Sequence, residues 1–340
     1  MNTPQSSFSS PEEKYMKRAL QLARYGAGFV SPNPMVGAVI VDPDGKIIGE
    51  GWHRRYGGPH AEVNAVNSVA PQDMAKFPLS TIYVTLEPCS HYGKTPPCSL
   101  LLIEKGIGRV VVGSPDPFLL VAGRGIKMLR EAGIEVIEGF LQKECDDLNR
   151  RFITAHTLNR PFIQLKWAQS RDGFIAGISP EGVPMPEKFS TPLSAGLMHR
   201  ERSVADAILV GTNTVLIDNP GLDTRLRPGN SPIPVTFESS RLHNGLKIMQ
   251  RDHILLNPAE SLEENMHNLY ENHKITSLMV EGGARTLSSF IDQNLFDEVR
   301  VEISDQTLQA GITAPEIPSG LILKSDQKIG TNTILTFTRK

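Results

Sequence analysis

The stretch Thr85-Leu86-Glu87-Pro88-Cys89-Ser90-His91-Tyr92-Gly93-Lys94-Thr95-Pro96-Pro97-Cys98 places two proline-preceded cysteines between a strand-like run at residues 81–86 and a helical segment at 99–105. Outward from this strand–loop–helix unit, the alternation continues. Residues 60–69 read as helix, 109–113 as strand, 123–132 as helix and 135–137 as strand. Upstream, the apolar stretch 36–41, the turn Pro43-Asp44-Gly45 and the run 46–51 predict a hairpin. Before that, Met16, Ala19, Leu20 and Ala23 recur at helical spacing, with Ser10 as cap, Pro11 in the first turn and Gly26 and Gly28 beyond the end. This order predicts an α/β domain whose sheet is largely parallel behind its opening hairpin.

A helix over residues 140–157 closes that domain, and Asn159-Arg160-Pro161 marks the boundary, giving domains at 1–158 and 159–340. The pattern then restarts. Strands are expected at 162–167, 206–210, 254–256, 278–280, 300–303 and 333–338, and helices at 193–203, 262–273 and 285–293. Residues 177–187, rich in Gly and Pro, read as a loop. The second half is a second α/β domain.

Composition narrows the function. Lys and Arg total 35 against 37 Asp and Glu, a net charge of −2, so the basic excess of a nucleic-acid binder is absent. The longest apolar runs are strand-sized and do not reach the ~20 residues of a membrane span. The polar start at 1–10 carries no apolar signal core. Three cysteines cannot build a disulfide framework, which points to the cytoplasm and to thiols or metal ligands. A small-molecule substrate is expected; homo-oligomerisation is left open.

Chemistry concentrates in His60-Ala61-Glu62, Pro88-Cys89 and Pro97-Cys98. His60, Cys89 and Cys98 form a three-ligand zinc set, and a zinc site with three protein ligands keeps its fourth position for chemistry. The remaining cysteine, Cys145, lies in Lys143-Glu144-Cys145-Asp146-Asp147 with no Cys or His beside it, so one zinc per chain is expected. His60 follows Gly57-Gly58-Pro59 and should sit at a helix start, and Cys89 and Cys98 should open turns or helices. Glu62 is the candidate proton carrier between water and a leaving amine. An H-x-E element with two cysteines is the signature of zinc nucleobase deaminases, although their usual C-x-x-C is widened here to eight intervening residues.

That widened loop closely resembles the bifunctional riboflavin-biosynthesis deaminase/reductase family. The resemblance extends through Pro32-Asn33-Pro34-Met35-Val36-Gly37-Ala38-Val39, Gly51-Trp52-His53, Asp116-Pro117 and Val121-Ala122-Gly123-Arg124-Gly125. It implies a cytidine-deaminase-like N-terminal domain that deaminates a diaminopyrimidinone ribosylamino phosphate. Asn33, His53, His91 and Lys94 would then line the substrate pocket.

The resemblance continues in Lys166-Trp167-Ala168-Gln169-Ser170-Arg171-Asp172-Gly173, in Ala207-Ile208-Leu209-Val210-Gly211-Thr212-Asn213-Thr214-Val215-Leu216-Ile217-Asp218-Asn219-Pro220, and in Glu281-Gly282-Gly283. It implies a dihydrofolate-reductase-like α/β C-terminal domain that uses NADPH to reduce the ribosyl group to a ribityl chain. Ala168, Thr214, Asp218 and Gly283 would meet NADPH, while Arg202, Leu222, Arg225 and Glu281 would face the sugar phosphate. Departures cluster around the cofactor. Lys188-Phe189-Ser190 stands where the family carries Trp-Ile-Thr, Arg171 stands for the commoner Leu, and the strand at 235–240 lacks the family's Asp. A deaminase whose second domain serves only binding or assembly is the alternative.

Overall fold

The computed structural model describes residues 10–92, 96–117 and 122–339. The chain divides into two compact units, Met1–Thr157 and Leu158–Lys340.

The first unit opens with α1 (Ser10–Ala23), which buries Met16, Ala19, Leu20 and Ala23, the stripe expected from their spacing. Strands β1 (Gly37–Val41) and β2 (Ile47–Trp52) form the hairpin. Its turn closes because the Asp42 carboxylate accepts the backbone N–H groups of Asp44 and Lys46 at 3.1 and 2.9 Å, and Gly45 takes φ 79°. There follow α2 (Ala61–Asn67), β3 (Thr81–Leu86), α3 (Cys98–Lys105), β4 (Arg109–Ser114), α4 (Arg124–Glu131), β5 (Glu135–Ile137), α5 (Gln142–Leu148) and α6 (Arg150–Leu158). The sheet order is β2-β1-β3-β4-β5, antiparallel through β1 and β2 and parallel from β3 onward. Helix α2 lies directly on β2 because position 51 is glycine: a β-carbon there would fall 2.2 Å from the Ala65 nitrogen.

The expected helix over 140–157 is two helices. Asn149, 2% exposed, turns its side chain onto Met35, accepting from the Met35 N–H and donating to the Met35 carbonyl, both at 2.9 Å. A long-range pairing therefore interrupts a pattern that reads as continuous locally. Cys98 opens α3 with Pro97 as its cap, whereas Cys89 lies in the loop after β3 and opens no helix.

The second unit comprises β6 (Phe162–Gln169), β7 (Phe174–Ile178), β8 (Pro184–Met185), α7 (Pro192–Arg202), β9 (Ala207–Leu209), α8 (Thr212–Asp218), β10 (Ile233–Phe237), β11 (Ile254–Leu256), α9 (Leu262–Glu271), β12 (Ser277–Val280), α10 (Ala284–Asp292), β13 (Glu298–Ile303), β14 (Ile312–Thr313), β15 (Ile322–Ile329) and β16 (Asn332–Thr338). Its main sheet runs β11-β10-β9-β12-β6-β13-β16-β15, parallel as far as β13 and antiparallel at β16 and β15. Ile163, Leu165, Val280, Phe290 and Val299 are among its core residues. Within residues 177–187, expected as loop, 179–183 and 186–187 are loop or turn, while 177–178 and 184–185 pair with each other as the end of β7 and as β8 in a three-stranded sheet ordered β14-β7-β8. Pairing with β14, more than 130 residues away in sequence, stabilises β7 despite its local Gly content. Strand β15 carries no apolar alternation because nearly all of it is exposed at the sheet edge.

Candidate functional site

His60 caps α2 in extended backbone, so its ring stands at the helix mouth and Glu62 lies in the first turn. Cys89 and Cys98 arrive from the end of β3 and the start of α3. The Cys98 thiol sulfur lies 3.3 Å, and that of Cys89 3.6 Å, from His60 Nδ1. The three ligand atoms all fall within 4.8 Å of one another. One imidazole nitrogen and two sulfurs converging on a point are a donor set suited to zinc.

The widened cysteine spacing is reconciled by Ser99. Its N–H and its hydroxyl both donate to the Cys89 carbonyl, at 3.2 and 3.0 Å, and the Cys98 N–H points at Cys89 Sγ from 3.3 Å. These bonds clamp the ends of the eight-residue insertion. Hydrogen bonds from the Cys98 thiol and His60 hold the Cys89 thiol well below its ordinary value, favouring the thiolate that a metal needs. Glu62 is 3% exposed, and burial, reinforced by the Cys89 charge, pushes its carboxyl up to about 7. A carboxyl with that value can take up and release a proton near neutrality.

His53 is fixed as one tautomer. Nδ1 lies 3.0 Å from the Pro59 carbonyl, which can only accept, so Nδ1 carries the hydrogen. Nε2 is then the acceptor for the Asn33 amide at 3.3 Å. Burial lowers the His53 pKa, keeping the ring neutral, and it stands edge-on to His60 with centroids 5.5 Å apart. Asn33 and His53 thus form a polar pair beside His60. His91 is exposed on the inter-cysteine loop, and Lys94 lies outside the described residues.

Glu87 received no role from sequence, yet it is 5% exposed and accepts the N–H groups of Asp116, Gly123, Gly125 and Ile126 at 2.9–3.4 Å. The available signal was a carboxylate ending an apolar strand, two residues before the candidate ligand Cys89. Cys145 is fully buried, and burial pushes its thiol up to about 12.

In the second unit a cleft of about 930 Å³ opens over the strand ends. Ala168, Thr214, Asp218 and Gly283, the expected cofactor residues, all line it together with Glu281. A β-carbon at Gly283 would touch Thr214 Oγ1 at 3.5 Å, so bare backbone faces that hydroxyl. The cleft size and its glycine backbone ahead of α10 suit a dinucleotide. Lys166 also lines it, as do Trp167, Phe189 and Phe237, so aromatic walls persist despite Lys188.

The residues expected at the sugar phosphate are less tightly gathered. Arg202 pairs bidentately with Glu281 at 2.7 and 3.1 Å and also donates to the Asp223 carbonyl. Burial would raise the Glu281 carboxyl, but the Lys166 and Arg202 charges overcome it and hold it at about 2. Arg225 pairs with Asp223 in a more exposed position. Leu222 is 3% exposed and its side chain packs with Met198, Ile208 and Val215, so only its backbone, at φ 50°, can face a ligand.

Comparison with known proteins gives these two sites their family. Residues 9–114 match the cytidine and deoxycytidylate deaminase zinc-binding region, and residues 161–311 match the RibD C-terminal domain. The riboflavin biosynthesis protein RibD of Aquifex aeolicus is 38% identical over 330 residues, covering 90% of each chain. A solved diaminohydroxyphosphoribosylaminopyrimidine deaminase/5-amino-6-(5-phosphoribosylamino)uracil reductase from Thermotoga maritima is 35% identical with TM-score 0.85. It covers 97% of this chain and 99% of its own, as does Acinetobacter baumannii RibD, 29% identical with TM-score 0.86. With both halves present in order, the two-step reading is favoured over a deaminase carrying an inert scaffold. The chain belongs to the RibD family, the bifunctional deaminase/reductases of riboflavin biosynthesis, with zinc in the first domain and NADPH in the second.

Proposed function

We propose that His60, Cys89 and Cys98 hold the zinc ion and that Glu62 moves the protons of a hydrolytic deamination. The carrying observation is the convergence of three ligand atoms within 4.8 Å beside a carboxyl at 3% exposure. The chemistry zinc supplies when bound is an activated water, by lowering its pKa to about 7. Glu62 accepts a proton from water and returns it to the departing amine. Its burial keeps that exchange out of bulk solvent. The substrate is 2,5-diamino-6-ribosylamino-4(3H)-pyrimidinone 5′-phosphate. The Asn33–His53 pair is neutral and directional, suited to orienting a heterocyclic ring by its edge. His91 and Lys94, on the loop between the cysteines, take its phosphate.

In the second unit Ala168, Thr214, Asp218 and Gly283 receive NADPH, which supplies the hydride. Glu281, held ionised by Lys166 and Arg202, orients Arg202 towards the ribosyl phosphate, and Arg225 and the Leu222 backbone complete that side. With the Nε/Nη2 fork of Arg202 on Glu281, its remaining Nη hydrogens are those a phosphate oxygen would meet, and Arg225 adds a second guanidinium suited to phosphate. Free cysteines support a reducing, cytoplasmic setting.

The deciding experiment follows ammonia release from the diaminopyrimidinone ribosylamino phosphate and NADPH oxidation with the deaminated product, using the full chain. Both rates are expected. Ammonia release without NADPH oxidation would return the second domain to a binding role.

A further inference from the structure

We propose that Glu302 is a positioning residue of the reductase: it acts on the cofactor through the wall formed by Lys188, Phe189 and Ser190, without touching the cofactor itself. The inference rests on reading the cleft of the second unit as the NADPH cleft.

Glu302 lies on β13, in register with Ala168 of β6 on one side and Ile334 of β16 on the other. It is 2% exposed and does not line the cleft, whereas Lys188, Phe189 and Ser190 all do. Its two carboxylate oxygens are both committed. Oε2 accepts the Ser190 hydroxyl at 2.8 Å, and Oε1 accepts Asn332 Nδ2 at 2.6 Å. The same Asn332 amide, fully buried, donates to the Phe189 carbonyl at 3.0 Å. Gln306 Nε2 completes the set by donating to the Lys188 carbonyl at 3.4 Å. Three consecutive residues of the wall are therefore tied to the strand end and its neighbours.

The chemistry of these ties explains how the wall tolerates its departure from Trp-Ile-Thr. At 188 and 189 the contacts use backbone carbonyls, which every residue supplies. At 190 the contact needs a hydroxyl, which Ser and Thr share. A buried carboxylate is costly unless fully hydrogen-bonded, and bonds to a charged acceptor are stronger and more directional than neutral ones. Two short bonds to one buried side chain thus stiffen the wall where the cleft needs a defined width.

The test is NADPH binding by calorimetry to the full chain and to Ser190→Ala, Ser190→Thr and Glu302→Gln, with ammonia release and thermal midpoint followed in parallel. Ser190→Ala is expected to weaken NADPH binding about tenfold, as for one lost buried hydrogen bond. Ser190→Thr recovers the affinity, and Glu302→Gln falls between them. Ammonia release stays unchanged throughout. Hydrogen exchange without cofactor gives a second readout, with faster exchange confined to the 188–191 amides in Ser190→Ala. NADPH binding unaffected by Ser190→Ala, or a Thr variant no better than Ala, overturns the brace alone. Absence of binding by the unaltered chain overturns the cofactor reading and the brace with it.

Discussion

Gly125 packs so closely on Pro88 that a β-carbon at position 125 would lie 2.0 Å from the Pro88 carbonyl oxygen. The start of α4 is thereby pressed against the residue preceding Cys89, the proposed zinc ligand, while Glu87 on the other side of Pro88 gathers the N–H groups of that same helix start. Helix and ligand loop are one unit, and substitutions there should be felt at the metal.

Gly125→Ala is expected to cost about 1–3 kcal/mol, since the clash is with backbone and cannot be relieved by a rotamer change. Thermal unfolding measures this, and zinc content should fall alongside. A variant with unchanged midpoint and full zinc would contradict the close packing.

Glu87→Ala leaves buried N–H groups without their acceptor, each such loss costing about 1–3 kcal/mol. Urea unfolding should show a lowered midpoint with an unchanged slope. Equal stability would mean that water replaces the carboxylate without penalty.

Glu62→Gln should retain zinc yet lose about 10²–10⁴-fold in ammonia release, the usual contribution of a general acid–base group. Metal analysis and a coupled ammonia assay separate the two effects. Near-full activity would remove Glu62 from the mechanism.

Acid sensitivity of the second unit follows from Glu281. Its folded carboxyl titrates at about 2 against an ordinary 4.5, so the stabilisation is complete above about pH 4.5 and is lost as pH falls towards 2. At neutral pH this amounts to about 3 kcal/mol. Trp167, 3% exposed in this unit, reports the transition by fluorescence in a Trp52→Phe background. In Glu281→Gln that acid-dependent component should vanish, and the protein should be less stable at pH 7 because Arg202 loses its partner. An identical acid profile in the variant would refute the assignment.

Thiol titration tests the division of labour among the cysteines. Cys145, buried and raised to about 12, should react only on unfolding, whereas Cys89 should become reactive once zinc is chelated. Rapid labelling of Cys145 in the folded chain would contradict its placement.

The candidate His–Cys–Cys cluster and the order of elements were legible in the sequence because they rest on residue type and local rules. His60 behind Gly57-Gly58-Pro59 is a helix start by backbone chemistry, Asp42 to Lys46 is a turn, and Met16 to Ala23 shows one apolar face. Their residue types suit zinc, so two cysteines and a histidine stand out as a candidate set even with a widened spacing, and folding brings their ligand atoms within 4.8 Å of one another. Tertiary structure decided what depends on partners far along the chain. Asn149 splits a helix by pairing with Met35, Phe174 and Ala176 of β7 find their partners in β14 far along the chain, and Leu222 turns its side chain into the core. Glu87 and Glu302 look like ordinary charged residues until folding removes their water. A buried carboxylate must then find donors, and those donors, drawn from segments 29 to 39 residues away for Glu87 and 30 and 112 for Glu302, exist as a set only in the folded chain.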